Sequence, residues 1–141
     1  MKAEIIEAAN LINQRKFDRA IDLLSVLDDN DLSKDDAGMK HLHLAIAFGK
    51  KKDIDQSNCH YRKAIEYDHP TGMAYEKLAI NLTKQGKLAD AIEVCQRLID
   101  HPTVPQPRSY LTKDDMRERR KKLEARLAKN LEKDSKRRHA T

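Results

Sequence analysis

The chain has 141 residues, 28 of them Lys or Arg and 23 Asp or Glu, for a formal net charge of +5; apolar residues make up 39% and aromatics only 4%, with no Trp. That length suits one domain or a short repeat array, and a charged fraction of 36% with four Gly and four Pro points to an all-α protein rather than a β-sandwich, which needs more turn residues and β-branched strands. Apolar runs of only a few residues exclude a transmembrane helix, the charges from Glu4 to Arg19 predict no signal peptide, and Cys59 and Cys95, without CxxC spacing, predict a reducing, cytoplasmic setting.

Taken in chain order, apolar residues three or four apart predict helices over about 2–14, 17–28, 34–50, 54–68, 72–85 and 88–100. Ser33, Asp53 and Thr71 stand where a side-chain oxygen caps the free N–H groups of a helix start. Gly86 stands where a left-handed residue ends one. Pro70 and Pro102, each in an Asp-His-Pro sequence, are stops, because the residue before proline is pushed out of the α region. Pro105 and Pro107 make 104–111 an extended linker, and Thr112 caps a charged helix predicted over 112–135. The last residues, 136–141, are predicted to be disordered.

The pattern repeats. Small residues twelve apart recur as Ala8 with Ala20, Ala45 with Ser57, and Ala79 with Ala91, offset by 37 and then 34 residues. Three positions after the first small residue stand Leu11, Phe48 and Leu82; four after the second stand Leu24, Tyr61 and Cys95. Each copy therefore reads as two amphipathic helices that meet closely at the small pair. One such hairpin cannot bury its apolar face alone, whereas stacked neighbours can.

On these residues the chain resembles the tetratricopeptide repeat family. The third copy carries Tyr75, Leu78, Ala79, Leu82, Gly86, Ala91 and Cys95, and the second Leu44, Ala45, Phe48, Ser57, Tyr61 and Ala64, with His41 where a large apolar residue is usual. The first keeps Ala8, Leu11, Phe17, Ala20 and Leu24, while Glu4 and Glu7 replace large residues, as suits a terminal repeat with a polar outer edge. The resemblance implies a right-handed α-solenoid of three hairpins (about 1–33, 34–70 and 71–103) with the charged helix as a C-terminal cap. It also implies a concave groove lined by the first helix of each pair. Its members here are Ile5, Ala9, Ile12 and Asn13, then Leu42, His43, Ile46 and Lys50, then Glu76, Lys77, Ile80 and Lys84. The groove is apolar at its start and charged toward its end, which suits a peptide or amphipathic helix from a partner protein.

Some family members clamp a C-terminal carboxylate. The clamp positions hold Ile5, Ala9, His43, Met73 and Lys77 here, and only Lys77 has a suitable charge, so that activity is not expected. The expected function is a non-enzymatic protein–protein interaction module. Small three-repeat chaperones are similar in size, so a chaperone for a specific client is the narrower alternative.

Charge is unevenly placed: residues 108–141 carry +7 and residues 1–107 carry −2. Arg117, Arg119, Arg120, Lys121 and Lys122 form a basic cluster, which offers a second alternative: contact with nucleic acid or an anionic surface. Against it, no aromatic follows Tyr110 for base stacking, and Glu118–Lys122 and Glu132–Lys136 are spaced as stabilising pairs within a solvated helix. The narrow stripe of Met116, Leu123, Leu127 and Leu131 is interrupted by Arg120 and allows a coiled-coil contact as a third reading. No cofactor and no metal are expected: the six histidines include no i, i+4 pair. The acidic stretch Asp28 to Asp36 lacks the glycine and terminal glutamate of a calcium loop and reads as a lengthened turn.

Overall fold

Helix α1 (Ala3–Asn13) buries Ile5, Ala8 and Leu11 along one stripe, and α2 (Phe17–Ser25) meets it with Ala20 and Leu24. Leu44, from helix α3 (Lys34–Lys50), completes this apolar cluster, with Ile12, Ile21, Leu27 and Phe48 packed at its edge. Each large side chain so buried contributes about 1.5–3 kcal/mol relative to exposure. Helix α4 (Ile54–Glu66) packs on α3 through Ser57, Tyr61, Ala64 and Ile65. Further on lie α5 (Met73–Lys84), α6 (Leu88–Ile99) and α7 (Lys113–His139).

The structure, a computed structural model, describes residues 1–69, 72–102 and 113–139. Among the described residues it is all-α: helices and one 3₁₀ turn (Asp29–Asp31), without a strand. The chain divides into two units, Met1–Pro70 and Thr71–Thr141, at the junction predicted between the second and third copies. The first unit holds α1 to α4. In the second, α5 packs on α6, and α7 packs on α6 with Met116 and Leu123 buried.

The small pairs sit where two helices touch. Ala8, Ala20, Ala45, Ala79 and Ala91 are all fully buried, and Ser57 is 1% exposed. Ser57 Oγ donates 2.8 Å to the carbonyl of Ala45, so α4 lies close enough for its side chain to reach the backbone of α3. In each copy the turn between the helices has the same backbone form. Arg15, Lys52 and Gly86 adopt φ of 61°, 64° and 74°. The following N–H groups of Lys16, Asp53 and Lys87 reach back to the carbonyls of Leu11, Phe48 and Leu82 at 2.8–2.9 Å. This is a left-handed C-terminal cap with its six-to-one hydrogen bond, which satisfies carbonyls that a helix end leaves free. Ser33 and Asp53 cap their helices as predicted, accepting from the N–H of Asp36 and Gln56.

The structure also differs from expectation. Helix α2 ends at Ser25 rather than near 28, because the 3₁₀ turn takes over the following segment, where Asp28 accepts from the N–H of Asn30. Helix α4 stops at Glu66, where Asp68 enters the left-handed region at φ 56°. Residues 136–139, predicted to be disordered, continue α7. Lys136 pairs with Glu132 at 3.3 Å, and the basic residues near the helix end oppose its dipole. The predicted caps Thr71 and Thr112, the stop at Pro70, the linker 104–111 and residues 140–141 lie outside the described residues.

Two substitutions test this account. Ala79→Leu forces a large side chain into a closed helix contact and should cost about 1–3 kcal/mol of unfolding free energy in a denaturant titration. Lys52→Gly places at the second turn the residue that the third already has. Relief of the left-handed strain exceeds the added chain entropy, so stability should rise by about 0.5–1 kcal/mol. A loss at Lys52→Gly would show that its side chain has a role the backbone does not explain.

Candidate functional site

Two clefts open on the first unit. One, of about 470 Å³, lies between α1 and α3 and is lined by Ala9, Ile12, Asn13, His43, Ile46 and Lys50, with Arg15 and Phe17. The three- and four-residue spacing along α1 (9, 12, 13) and α3 (43, 46, 50) sets these residues on the helix faces left over once the core stripe is buried. Six of the residues predicted for a groove thus share one cleft, while Arg15 joins them from the turn between α1 and α2 and Phe17 from the first position of α2. Arg15 belongs to the predicted hairpin turn, and Phe17, the first residue of the second predicted helix, fits a repeat-packing position, so neither was expected in the groove. His43 is half-buried, and burial, then the neighbouring His69, holds it below its ordinary range, so it adds no charge to the cleft at neutral pH.

Ile5 and Leu42 were expected in the same groove and are not there. Ile5 is 0% exposed and belongs to the α1–α2–α3 core. Leu42 is 6% exposed because α3 is covered over most of its circumference, with Lys40, His41, Leu44, Ala45 and Ala47 buried as well. Lys77, Ile80 and Lys84 lie on α5 in the second unit, at spacings that place them along one side of that helix; Lys77 and Lys84 are exposed and Ile80 is half-buried.

The other cleft, of about 510 Å³, is lined in part by Asp28, Asp29, Lys40, His41, His60 and Lys63. Its floor is a polar network. The Asp29 carboxylate accepts from Lys40 Nζ at 2.7 Å, from His41 Nε2 at 2.7 Å and from the Tyr67 hydroxyl at 3.1 Å. Lys40 also donates to the carbonyl of Leu27 at 2.6 Å. His41 Nδ1 meets His60 Nδ1 at 2.9 Å, and the His60 ring stacks against Phe48. The bond to Asp29 puts the proton of His41 on Nε2, so its Nδ1 accepts and the Nδ1 of His60 donates. Burial opposes a charge on Asp29, but the hydrogen bonds from Lys40 and His41 prevail and hold its carboxyl at about 2. Burial, followed by the nearby His41, Lys63 and Lys40, pushes His60 down to about 4. His41 is likewise lowered by burial, against the pull of Asp29.

This network was missed in the sequence, although two departures from the repeat pattern stood beside each other there. One was a histidine at an apolar position, and the other was the acidic insert a few residues before it. The structure joins them: the 3₁₀ turn carrying Asp29 is tied down onto α3 and α4. The network satisfies its own groups, and the two lysines of the cleft face two aspartates.

The basic cluster of α7 is largely compensated by neighbours in its own unit. Arg117 pairs with Asp114 at 2.7 Å, Lys122 with Glu118 at 3.4 Å, and Arg119 lies 3.8 Å from Glu76. Arg120, expected in the basic cluster and as the interruption of the apolar stripe, donates to Gln96 of α6 and sits 3.4 Å from Glu124. It lies between the two buried positions Met116 and Leu123 and so faces the helix they pack on. Lys121 alone of the five has no pairing among the described residues. Nor do the described residues group three His, Cys, Asp or Glu side chains as a metal site needs, or contain a helix long and apolar enough to cross a membrane. Comparison with protein-family models, curated proteins and solved structures finds no match to the chain.

The network makes stability pH-dependent. His60, held at about 4 against an ordinary 6.5, stays neutral in the folded chain while the unfolded chain takes up a proton, so stability falls as pH drops from about 6.5 to 4. Asp29, lowered from 3.8 to about 2, adds stability that is complete above 3.8 and is lost as pH falls toward 2. Thermal melts should show a declining melting temperature below about pH 6.5. His60→Phe, which keeps a ring against Phe48, should flatten part of that decline; an unchanged slope would remove His60 as its source.

Proposed function

We propose that this chain is a non-enzymatic protein–protein interaction module that docks a partner segment in the cleft between α1 and α3. The observation that carries the reading is the composition of that cleft. Ala9, Ile12, Phe17 and Ile46 offer apolar surface, with Asn13, Arg15 and Lys50 beside them. A large side chain placed on such a floor gains about 1.5–3 kcal/mol by burial, and a few polar groups around it fix its orientation.

The same proposal includes the finer fold: three tetratricopeptide-like hairpins in a right-handed solenoid. Its support is the recurrence of the small pair and of the left-handed turn at Arg15, Lys52 and Gly86. Repeats of this kind present recognition surfaces without catalytic groups. A reducing, cytoplasmic location belongs to the proposal as well, supported by the two free thiols, Cys59 and the buried Cys95.

The test is affinity capture with the full chain as bait, beside Ile12→Glu/Ile46→Glu. Both residues are only partly buried, so circular dichroism should be unchanged while captured partner falls by about tenfold or more, as expected when a charge is buried in an apolar contact. Equal capture by the two chains would move docking away from this cleft.

A further inference from the structure

The two clefts of the first unit differ in charge balance, and that difference bears on what the α1–α3 cleft takes. At the Asp29 cleft two lysines face two aspartates, and the carboxylate of Asp29 is already shared among three donors. The α1–α3 cleft is lined by Arg15 and Lys50 and by no carboxylate at all. Neither cation has an ion-pair partner among the described residues. Of the two carboxylates three residues away, Asp18 is taken by Lys51 and Asp53 caps α4, accepting from the N–H of Gln56. Both cations lie at helix ends, Lys50 as the last residue of α3 and Arg15 just past α1. The free carbonyls of a helix C-terminus amount to roughly half a negative charge each. Two full positive charges therefore leave the rim clearly positive.

Resting on the docking reading above, we infer that the partner segment is an acidic, amphipathic peptide. Its large apolar side chain sits on Ile12, Phe17 and Ile46, and its neighbouring Asp or Glu side chains pair with Arg15 and Lys50. The guanidinium of Arg15 presents a planar fork matched to a carboxylate. Asn13, exposed beside it, adds an amide donor for the same group. A basic segment meets like charge at this rim, and a neutral one leaves two cations partly desolvated without a partner; both are disfavoured.

The experiment is selection from a displayed random-peptide library on the full chain, followed by fluorescence anisotropy with the enriched peptides. The expected result is enrichment of Leu, Ile or Phe flanked by Asp or Glu. Affinity should fall with rising salt and by about tenfold for each of Arg15→Glu and Lys50→Glu. Ile12→Glu should abolish binding. Enriched peptides without acidic bias, indifferent to both charge reversals yet lost with Ile12→Glu, would overturn the acidic partner and leave the docking reading standing. Peptides indifferent to all three substitutions, or the absence of any binder, would overturn both. Sedimentation of the full chain covers the remaining occupant: self-association that Ile12→Glu abolishes would assign the cleft to a second copy and overturn the acidic peptide.

Discussion

The close approach of paired helices at a small residue underlies every hairpin in this protein. Where Ser57 reaches the backbone of α3, its hydroxyl donates to a carbonyl that already serves the helix, and a Cβ placed on Gly49 would come within 3.2 Å of the Ser57 hydroxyl oxygen. Contacts this tight leave no room for a larger side chain; in the first hairpin the corresponding pair, Ala8 and Ala20, is buried in the same cluster as Leu11, Leu24 and Leu44. The turn between the helices is set with equal economy. A left-handed residue reverses the chain in one step, and its hydrogen bonds satisfy the helix end. That two of the three turns use Arg15 and Lys52 instead of glycine shows that the packing holds a conformation their own backbone disfavours.

Polar groups in the first unit follow a different rule. Lys40 and His41 are buried on α3, and a buried donor without a partner costs more than a good hydrogen bond returns. Asp29 meets both of them, so the acidic insert between α2 and α3 acts as a clasp over the second hairpin and not as a loose loop. The histidine pair extends the clasp to α4, with each ring's tautomer dictated by the one before it. Its cost appears at low pH, where the unfolded chain gains protons that the folded one resists.

Charge is handled locally in both units. On α7, Arg117 and Lys122 have carboxylates on their own helix and Arg120 a neutral partner on α6, so most of the basic cluster is paired locally while the segment 108–141 keeps its net charge of +7. The rim of the α1–α3 cleft is where apolar surface and unpaired cations coincide, and that coincidence separates it from a merely solvated helix face.

Much of the architecture was legible in the sequence because it depends on local periodicity. The helices, the small pairs, the caps at Ser33 and Asp53 and the turn at Gly86 all follow from spacing or from one residue's own conformational preference. Six lining residues of the cleft were expected from the family resemblance, which assigns the groove to the first helix of each pair. Neither resemblance nor periodicity says how far neighbours wrap around a helix, so Ile5 and Leu42 were expected in the groove, whereas Ile5 is buried in the α1–α2–α3 core and Leu42 on α3 is buried as well. Nor does either reveal partners across the chain. The bonds of Asp29 to His41 and of Arg120 to Gln96 span 12 and 24 residues. Residue spacing thus determined the hairpins and their turns, whereas only tertiary structure decided which charges are cancelled and which stay open, because a side chain's partner is chosen by distance in space rather than along the chain.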